Sequence, residues 1–140
     1  MRLSEGKRLV FTNGVFDILH AGHVRYLAQA RQLGDLLIVG LNSDESVRAL
    51  SKAPNRPINP LEDRAEVLAA LRSVDAVVRF DDSTPTSLIE KLKPDVHVKG
   101  GDYEVENLPE TPTVKAYGGE VVILPLLPGR STTRILEQLQ

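Results

Sequence analysis

Apolar residues along this chain fall into short continuous runs, separated by segments in which they recur every three or four positions. Leu9, Val10 and Phe11 form the first run, read as a short buried strand. Val24, Leu27, Ala28 and Ala30 follow with roughly helical spacing up to Gly34, a helix stop. Leu36 to Leu41 is a run without alternation, the mark of a strand covered on both faces. Asn42, Ser43 and Asp44 suit the cap of a short helix from Glu45 to Leu50. Ser51 to Ile58 has no apolar period and reads as a proline-punctuated loop. Asn59 then supplies an N-cap and Pro60 a first helical residue ahead of Leu61, Val67, Leu68 and Leu71. Asp75 to Phe80 is a third strand, Thr84-Pro85 opens a helix through Leu88, Ile89 and Leu92, and Asp95 to Lys99 is a fourth strand. Thr111-Pro112 starts a short helix ending at Gly118-Gly119, and Glu120 to Leu124 is a fifth strand, followed by a glycine loop and a closing helix through Ile135 and Leu136. Five strands alternating with helices predict an α/β fold, a doubly wound parallel five-stranded sheet with right-handed crossovers. No repeat or linker divides the chain, so residues 1–140 read as one domain with its core at about 9–139.

Composition narrows the function classes. A formal charge of −2 argues against a broad nucleic-acid surface. No run approaches the roughly 20 apolar residues of a membrane span, and Met1 to Arg8 lacks a secretory apolar region. The absence of cysteine rules out disulfides. The expectation is a soluble cytoplasmic protein without nucleic-acid or membrane partners.

The chemistry concentrates where strands end. Thr12-Asn13-Gly14-Val15-Phe16-Asp17-Ile18-Leu19-His20-Ala21-Gly22-His23 joins the first strand to the first helix, the kind of junction that lines the ligand crevice of a parallel sheet. Gly14 and Gly22 remove side chains where a ligand would approach the backbone. His20 and His23, three positions apart, share a face of the first helical turn, whose N–H groups and positive dipole end favour an anion such as phosphate. A zinc pair, a helix cap and two unrelated surface histidines are the other readings; zinc would need further ligands, and His97, the one histidine left, lies inside a predicted strand and is unassigned. Lys52, Arg56 and Arg64 could converge on phosphates or be solvated loop charges. Lys99-Gly100-Gly101-Asp102 reads as an anion-binding concavity or a plain glycine turn. Ser131, Thr132 and Thr133, following Gly129, could ring a phosphate or cap the closing helix.

Asn13-Gly14-Val15-Phe16-Asp17 followed by His20-Ala21-Gly22-His23 resembles the signature of the cytidylyltransferase-like nucleotidyltransferases, and the resemblance runs from about Leu9 to Leu139. It implies a Rossmann-like sheet. The wording of Thr12 to His23, Asn42-Ser43-Asp44, Arg56-Pro57, Asn59-Pro60-Leu61-Glu62 and Val98 to Tyr103 is most similar to the heptose 1-phosphate adenylyltransferase branch, the adenylyltransferase domain of ADP-heptose synthases. That branch transfers AMP from ATP to D-glycero-D-manno-heptose 1-phosphate, giving ADP-heptose and pyrophosphate for a lipopolysaccharide core or another surface glycan. The resemblance implies His20, His23, Lys52 and Arg64 as catalytic residues, with the histidines on the α-phosphate and Lys52, Arg56 and Arg64 on the outer phosphates. It assigns the nucleotide to Thr12, Asn13, Gly14, Phe16, Asp17, His20, Gly22, His23, Arg56, Lys99, Gly100, Asp102, Ser131, Thr132 and Thr133, and the acceptor to Asp17, Asn42, Asp44, Gly101 and Arg130. It implies Mg²⁺ carried on the ATP phosphates with no metal site of the protein's own, ATP and a phosphorylated sugar as partners, a homodimer or larger assembly, and a separate heptose kinase in the same pathway.

Two features complicate the resemblance. Glycerol-3-phosphate and choline-phosphate cytidylyltransferases share the histidine pair but carry arginine, threonine and glutamate where this chain has Leu126, Leu127 and Pro128, which weighs against CTP. Arg130 stands where the heptose branch commonly has a small residue, which bears on the acceptor pocket. A CTP-using enzyme and a non-catalytic nucleotide-binding module are the alternative readings.

Overall fold

A computed structural model describes residues 6–50, 56–101 and 103–125 of the chain. Strands β1 (Leu9–Gly14), β2 (Leu36–Asn42), β3 (Ala76–Phe80), β4 (Val96–Gly100) and β5 (Glu120–Leu124) form one parallel sheet in the order β3-β2-β1-β4-β5. Helices α1 (Ala21–Arg31), α2 (Asp44–Leu50), α3 (Leu61–Ala69), α4 (Thr86–Leu92) and α5 (Thr111–Ala116) connect them, with a short 3-10 turn at Val105–Asn107. The doubly wound α/β class read from the sequence is the one found.

The unbroken apolar runs have their reason in this layering, because alternate residues of one strand enter separate cores. Val10, Leu37, Val39, Leu41, Val96 and Val98 pack with Leu27 of α1 and Leu68 of α3. Leu9, Phe11 and Ile38 pack on the other face with Ile89 of α4 and Val114 of α5. Burying each large side chain of this kind contributes about 1.5–3 kcal/mol.

Three aspartates brace the lower edge of the sheet by one repeated device. Asp35, Asp75 and Asp95 each accept at 2.7–2.8 Å from a backbone N–H on the neighbouring chain segment, those of Arg8, Leu37 and Leu9 respectively. Each returns its own N–H to the carbonyl of that same residue, at 2.7–2.9 Å. The two-way exchange fixes the register in which β1, β2, β3 and β4 begin.

Local departures from the sequence reading have clear causes. Helix α1 ends at Arg31 with Gln32 as its cap, ahead of the expected stop at Gly34. Helix α2 starts at Asp44, one residue ahead of the expected Glu45, and of the three residues offered as its cap Ser43 accepts from the Ser46 N–H at 3.2 Å. Pro60 is itself the cap residue of α3, and the Asn59 amide, expected to cap, donates instead to the Asp17 carbonyl at 2.6 Å. The closing helix beyond Pro128 lies outside the described residues.

Candidate functional site

β1 is the middle strand of the sheet, and its carboxyl end delivers the chain into α1 through the histidine motif. His20 is the N-cap of α1, its Nδ1 accepting from the Gly22 N–H at 3.0 Å, while His23 Nδ1 accepts from the His20 N–H at 3.3 Å. The two imidazoles thus form a reciprocal capping box, with ring centroids 4.0 Å apart. The capping and phosphate readings are therefore compatible: with both Nδ1 atoms accepting, each neutral ring carries its proton on Nε2 as a donor. Part of the expected anion-binding set is consumed, however, since the Gly22 N–H is tied to His20.

Phe16 holds this arrangement from one side. Its backbone is left-handed (φ 50°), its ring lies 5.5 Å from that of His23, and a Cβ on Gly14 would sit 2.8 Å from a ring atom of Phe16. Gly14 thus makes room for Phe16. Burial, and then the neighbouring His20, hold His23 down from 6.5 to about 4. At neutral pH His23 is an uncharged hydrogen-bond donor.

Several residues expected to face the nucleotide or acceptor are instead used by the protein. The Thr12 hydroxyl is fully buried, 2.6 Å from the Tyr26 hydroxyl and 2.8 Å from the Val98 carbonyl that it donates to, so it ties β1 to α1 and β4. Asp17 accepts from Arg56 Nε at 3.0 Å, the Ile58 N–H at 2.7 Å and the Asn59 N–H at 2.8 Å. Its carboxylate orders the approach to α3 and places Arg56 beside the motif.

Arg64, expected on the outer phosphates, is 1% exposed. It donates to the carbonyls of Asn59, Val15 and Asn42 at 2.8–2.9 Å and to Asp44 Oδ1 at 2.6 Å. Four hydrogen bonds to protein oxygens make it a staple between α3, the motif and the end of β2. Its i, i+4 relation to Leu68 on the inward face of α3 is what buries it. Asn42 and Asp44, expected on the acceptor, are drawn into the same network, the Asn42 amide also donating to the Ser46 hydroxyl at 2.9 Å. Burial would raise the Asp44 carboxyl, but the bond from Arg64 holds it below the usual range.

At the end of β4, Gly101 adopts φ 122°, open to glycine, yet its N–H donates to the Leu124 carbonyl at 3.0 Å. The anion concavity expected at Gly100-Gly101 has given that donor to the sheet. Lys99 Nζ stands 5.6 Å from the centre of the Tyr103 ring. Asn13 Oδ1, one residue from the end of β1, is buried with no hydrogen-bond partner among the described residues. Lys52, Asp102, Arg130, Ser131, Thr132 and Thr133 lie outside the described residues.

Sequence reasoning left His97 unassigned and passed over Glu110. His97 is fully buried, stacked on Phe11 at 5.6 Å, with Nε2 3.6 Å from Oε1 of Glu110. The signal was present in the run Val96-His97-Val98-Lys99, whose alternation sends two basic side chains to one face of a covered strand.

Comparison with known proteins gives the family. The sequence model of a family described as Cytidylyltransferase-like matches residues 11–137. The D-beta-D-heptose 1-phosphate adenylyltransferase of Bordetella bronchiseptica is 57% identical over 132 residues, 94% of this chain and 82% of that one. The bifunctional protein HldE of Alcanivorax borkumensis is 56% identical over 137 residues, and there the match spans 98% of this chain but 29% of the relative's length. A crystal structure of a lipopolysaccharide core biosynthesis protein from Thermoplasma volcanium superposes with a TM-score of 0.72 at 28% identity, covering 87% of this chain and 98% of the other.

Proposed function

Because the chain belongs to the cytidylyltransferase-like family, we propose that it is a nucleotidyltransferase that moves AMP from ATP to a heptose 1-phosphate, releasing pyrophosphate and forming an ADP-heptose. The single observation that carries the chemistry is the imidazole pair at the end of the central strand, locked by its own helix so that both rings hold their proton on Nε2. The high identity to a heptose 1-phosphate adenylyltransferase favours the adenylyl reading over a cytidylyl one.

A phosphate oxygen of the sugar 1-phosphate attacks the α-phosphorus of ATP in line and the pyrophosphate oxygen leaves. The attacking oxygen is already ionised, so no protein nucleophile is needed, and the protein acts by positioning and by stabilising charge. His20 and His23 donate to the α-phosphate as its charge rises. Arg56, anchored by Asp17, and Lys99 supply positive charge at the two sides of the motif. Lys52 and the cluster of Ser131, Thr132 and Thr133 complete the phosphate contacts in this reading.

Magnesium would come in with the triphosphate. The described residues assemble no group of three His, Cys, Asp or Glu ligands, and Asp17 is bound on both oxygens by protein donors. The triphosphate oxygens would hold it in this reading, and the ion would supply charge neutralisation there. A separate sugar kinase would make the acceptor, a pairing that fits the bifunctional naming of one relative. Assembly as a homodimer or larger belongs to the same reading.

Pyrophosphate release, measured with ATP, CTP, GTP and UTP against heptose 1-phosphate, glycerol 3-phosphate and choline phosphate, tests the proposal. Release is expected with ATP and heptose 1-phosphate. Release only with CTP and an alcohol phosphate overturns the acceptor and base assignment, and binding of ATP without release under any acceptor overturns the enzyme.

A further inference from the structure

β4 divides its side chains between the two layers, Val96 and Val98 entering the core beneath α1 while His97 and Lys99 face α4 and α5. Glu110, immediately ahead of α5, closes over that second face and is 2% exposed. Its Oε1 lies 3.6 Å from His97 Nε2, and neither His97 nitrogen nor that oxygen has a hydrogen-bond partner among the described residues. A carboxylate is costly to bury, and here the imidazole 3.6 Å away and the charge of Lys99 offset part of that cost.

Lys99 lies two residues along the strand from His97, roughly 7 Å away, on the same face and nearer the rim. Among the described residues it makes no ion pair, and its ammonium stands over the ring of Tyr103. Burial pushes the Lys99 ammonium down from its ordinary range, and the Glu110 charge opposes that. Burial likewise pushes Glu110 up, but His97 and Lys99 together hold it below the usual carboxylate range. Each of the two groups thus favours the ionised form of the other.

We propose that Glu110, seated against His97, is a positioning residue for Lys99, a buried counter-charge that holds the lysine ammonium at the rim where β1 and β4 end as a phosphate-facing cation. What Lys99 meets there rests on the function proposed above; the link from Glu110 to Lys99 does not.

The link is read without substrate by acetylating the whole protein with acetic anhydride across pH and following Lys99 by mass spectrometry. Glu110→Gln removes the charge and keeps the shape. Removing a nearby opposite charge from a half-buried group typically moves its titration by about 1 unit or more, so Lys99 in this variant should label about 10-fold faster at pH 8 than in the parent protein. Glu110→Asp should restore the parent profile, and an unchanged profile in Glu110→Gln overturns the proposal. Should Glu110→Gln not fold, the carboxyl carbon of Glu110 followed by NMR in Lys99→Met gives the same answer: its midpoint should rise, and no movement overturns the link.

Kinetics then place the pair in the reaction. Glu110→Gln and Lys99→Met should each raise KM for one phosphate substrate about 10-fold with a smaller change in kcat, and the double variant should be no worse than Lys99→Met alone. Additive losses overturn an action through Lys99. A parent protein that releases no pyrophosphate from any triphosphate would sink the proposed function while leaving the labelling result to judge the pair.

Discussion

The two flanks of the histidine motif are built on opposite terms. Toward β2 and α3, the buried polar groups are consumed by one another: Asp17 is held by Arg56, Ile58 and Asn59, and Arg64 by three carbonyls and Asp44. Toward β4 and α5, the described residues leave Asn13 Oδ1, both nitrogens of His97 and Oε1 of Glu110 buried without a hydrogen-bond partner, although His97 Nε2 and Glu110 Oε1 face each other at 3.6 Å. Asn13 alternates with Phe11, so all four atoms belong to the face of the sheet that α4 and α5 cover. A saturated network is scaffold, whereas desolvated groups without partners are retained where something else supplies the interaction. The contrast assigns rigidity to the first flank, and a ligand-responsive second flank belongs to the function proposed above.

The sharpest break of that contrast is Arg64→Ala. Removing one partner from a buried, fully engaged charge network costs about 3–5 kcal/mol, so urea denaturation should show a loss of that order, with turnover falling only as far as folded protein is lost. Unchanged stability with collapsed turnover would move Arg64 into the chemistry and erase the difference between the flanks. His20→Ala and His23→Ala should act in the opposite sense, each lowering turnover by 10²–10³, about 2.7–4 kcal/mol in the barrier. His20→Ala should also cost about 1 kcal/mol of stability through the lost cap, and near-normal pyrophosphate release in both variants would take the histidines out of the mechanism.

A smaller effect comes from pH. His23 is held at about 4 in the folded protein against 6.5 as its ordinary value, so unfolding takes up a proton between those limits. Its contribution to stability is whole above pH 6.5 and is lost as pH falls toward 4. Thermal unfolding followed from pH 8 to pH 4 should show a decline in that window that is reduced in His23→Gln. An identical decline in the variant would assign the acid sensitivity to other groups.

Much of the scaffold was legible because its causes are local. The strands betrayed themselves as apolar runs, since a strand feeding two cores has no polar face to alternate with. The histidine pair was legible for a similar reason: spacing alone brings an N-cap and the third helical residue together. Arg64 and Thr12 were misread because a basic or hydroxyl side chain looks the same in sequence whether it faces solvent or a cluster of carbonyls 22 to 86 residues away. Glu110 was invisible for the complementary reason, its partner His97 lying on a strand thirteen positions earlier with only the fold to join them.

The aspartate exchange at the foot of the sheet has a bearing on how such a protein can change. The strands are indexed about 17–20 Å from the ends that lead into the histidine motif, by carboxylates occupied with backbone N–H groups of the neighbouring segments. Rim and footing are thereby uncoupled, and the loops that choose an acceptor can be rewritten without the strands sliding past one another. A designer wishing to retarget this scaffold would leave Asp35, Asp75 and Asp95 alone and work entirely at the other end.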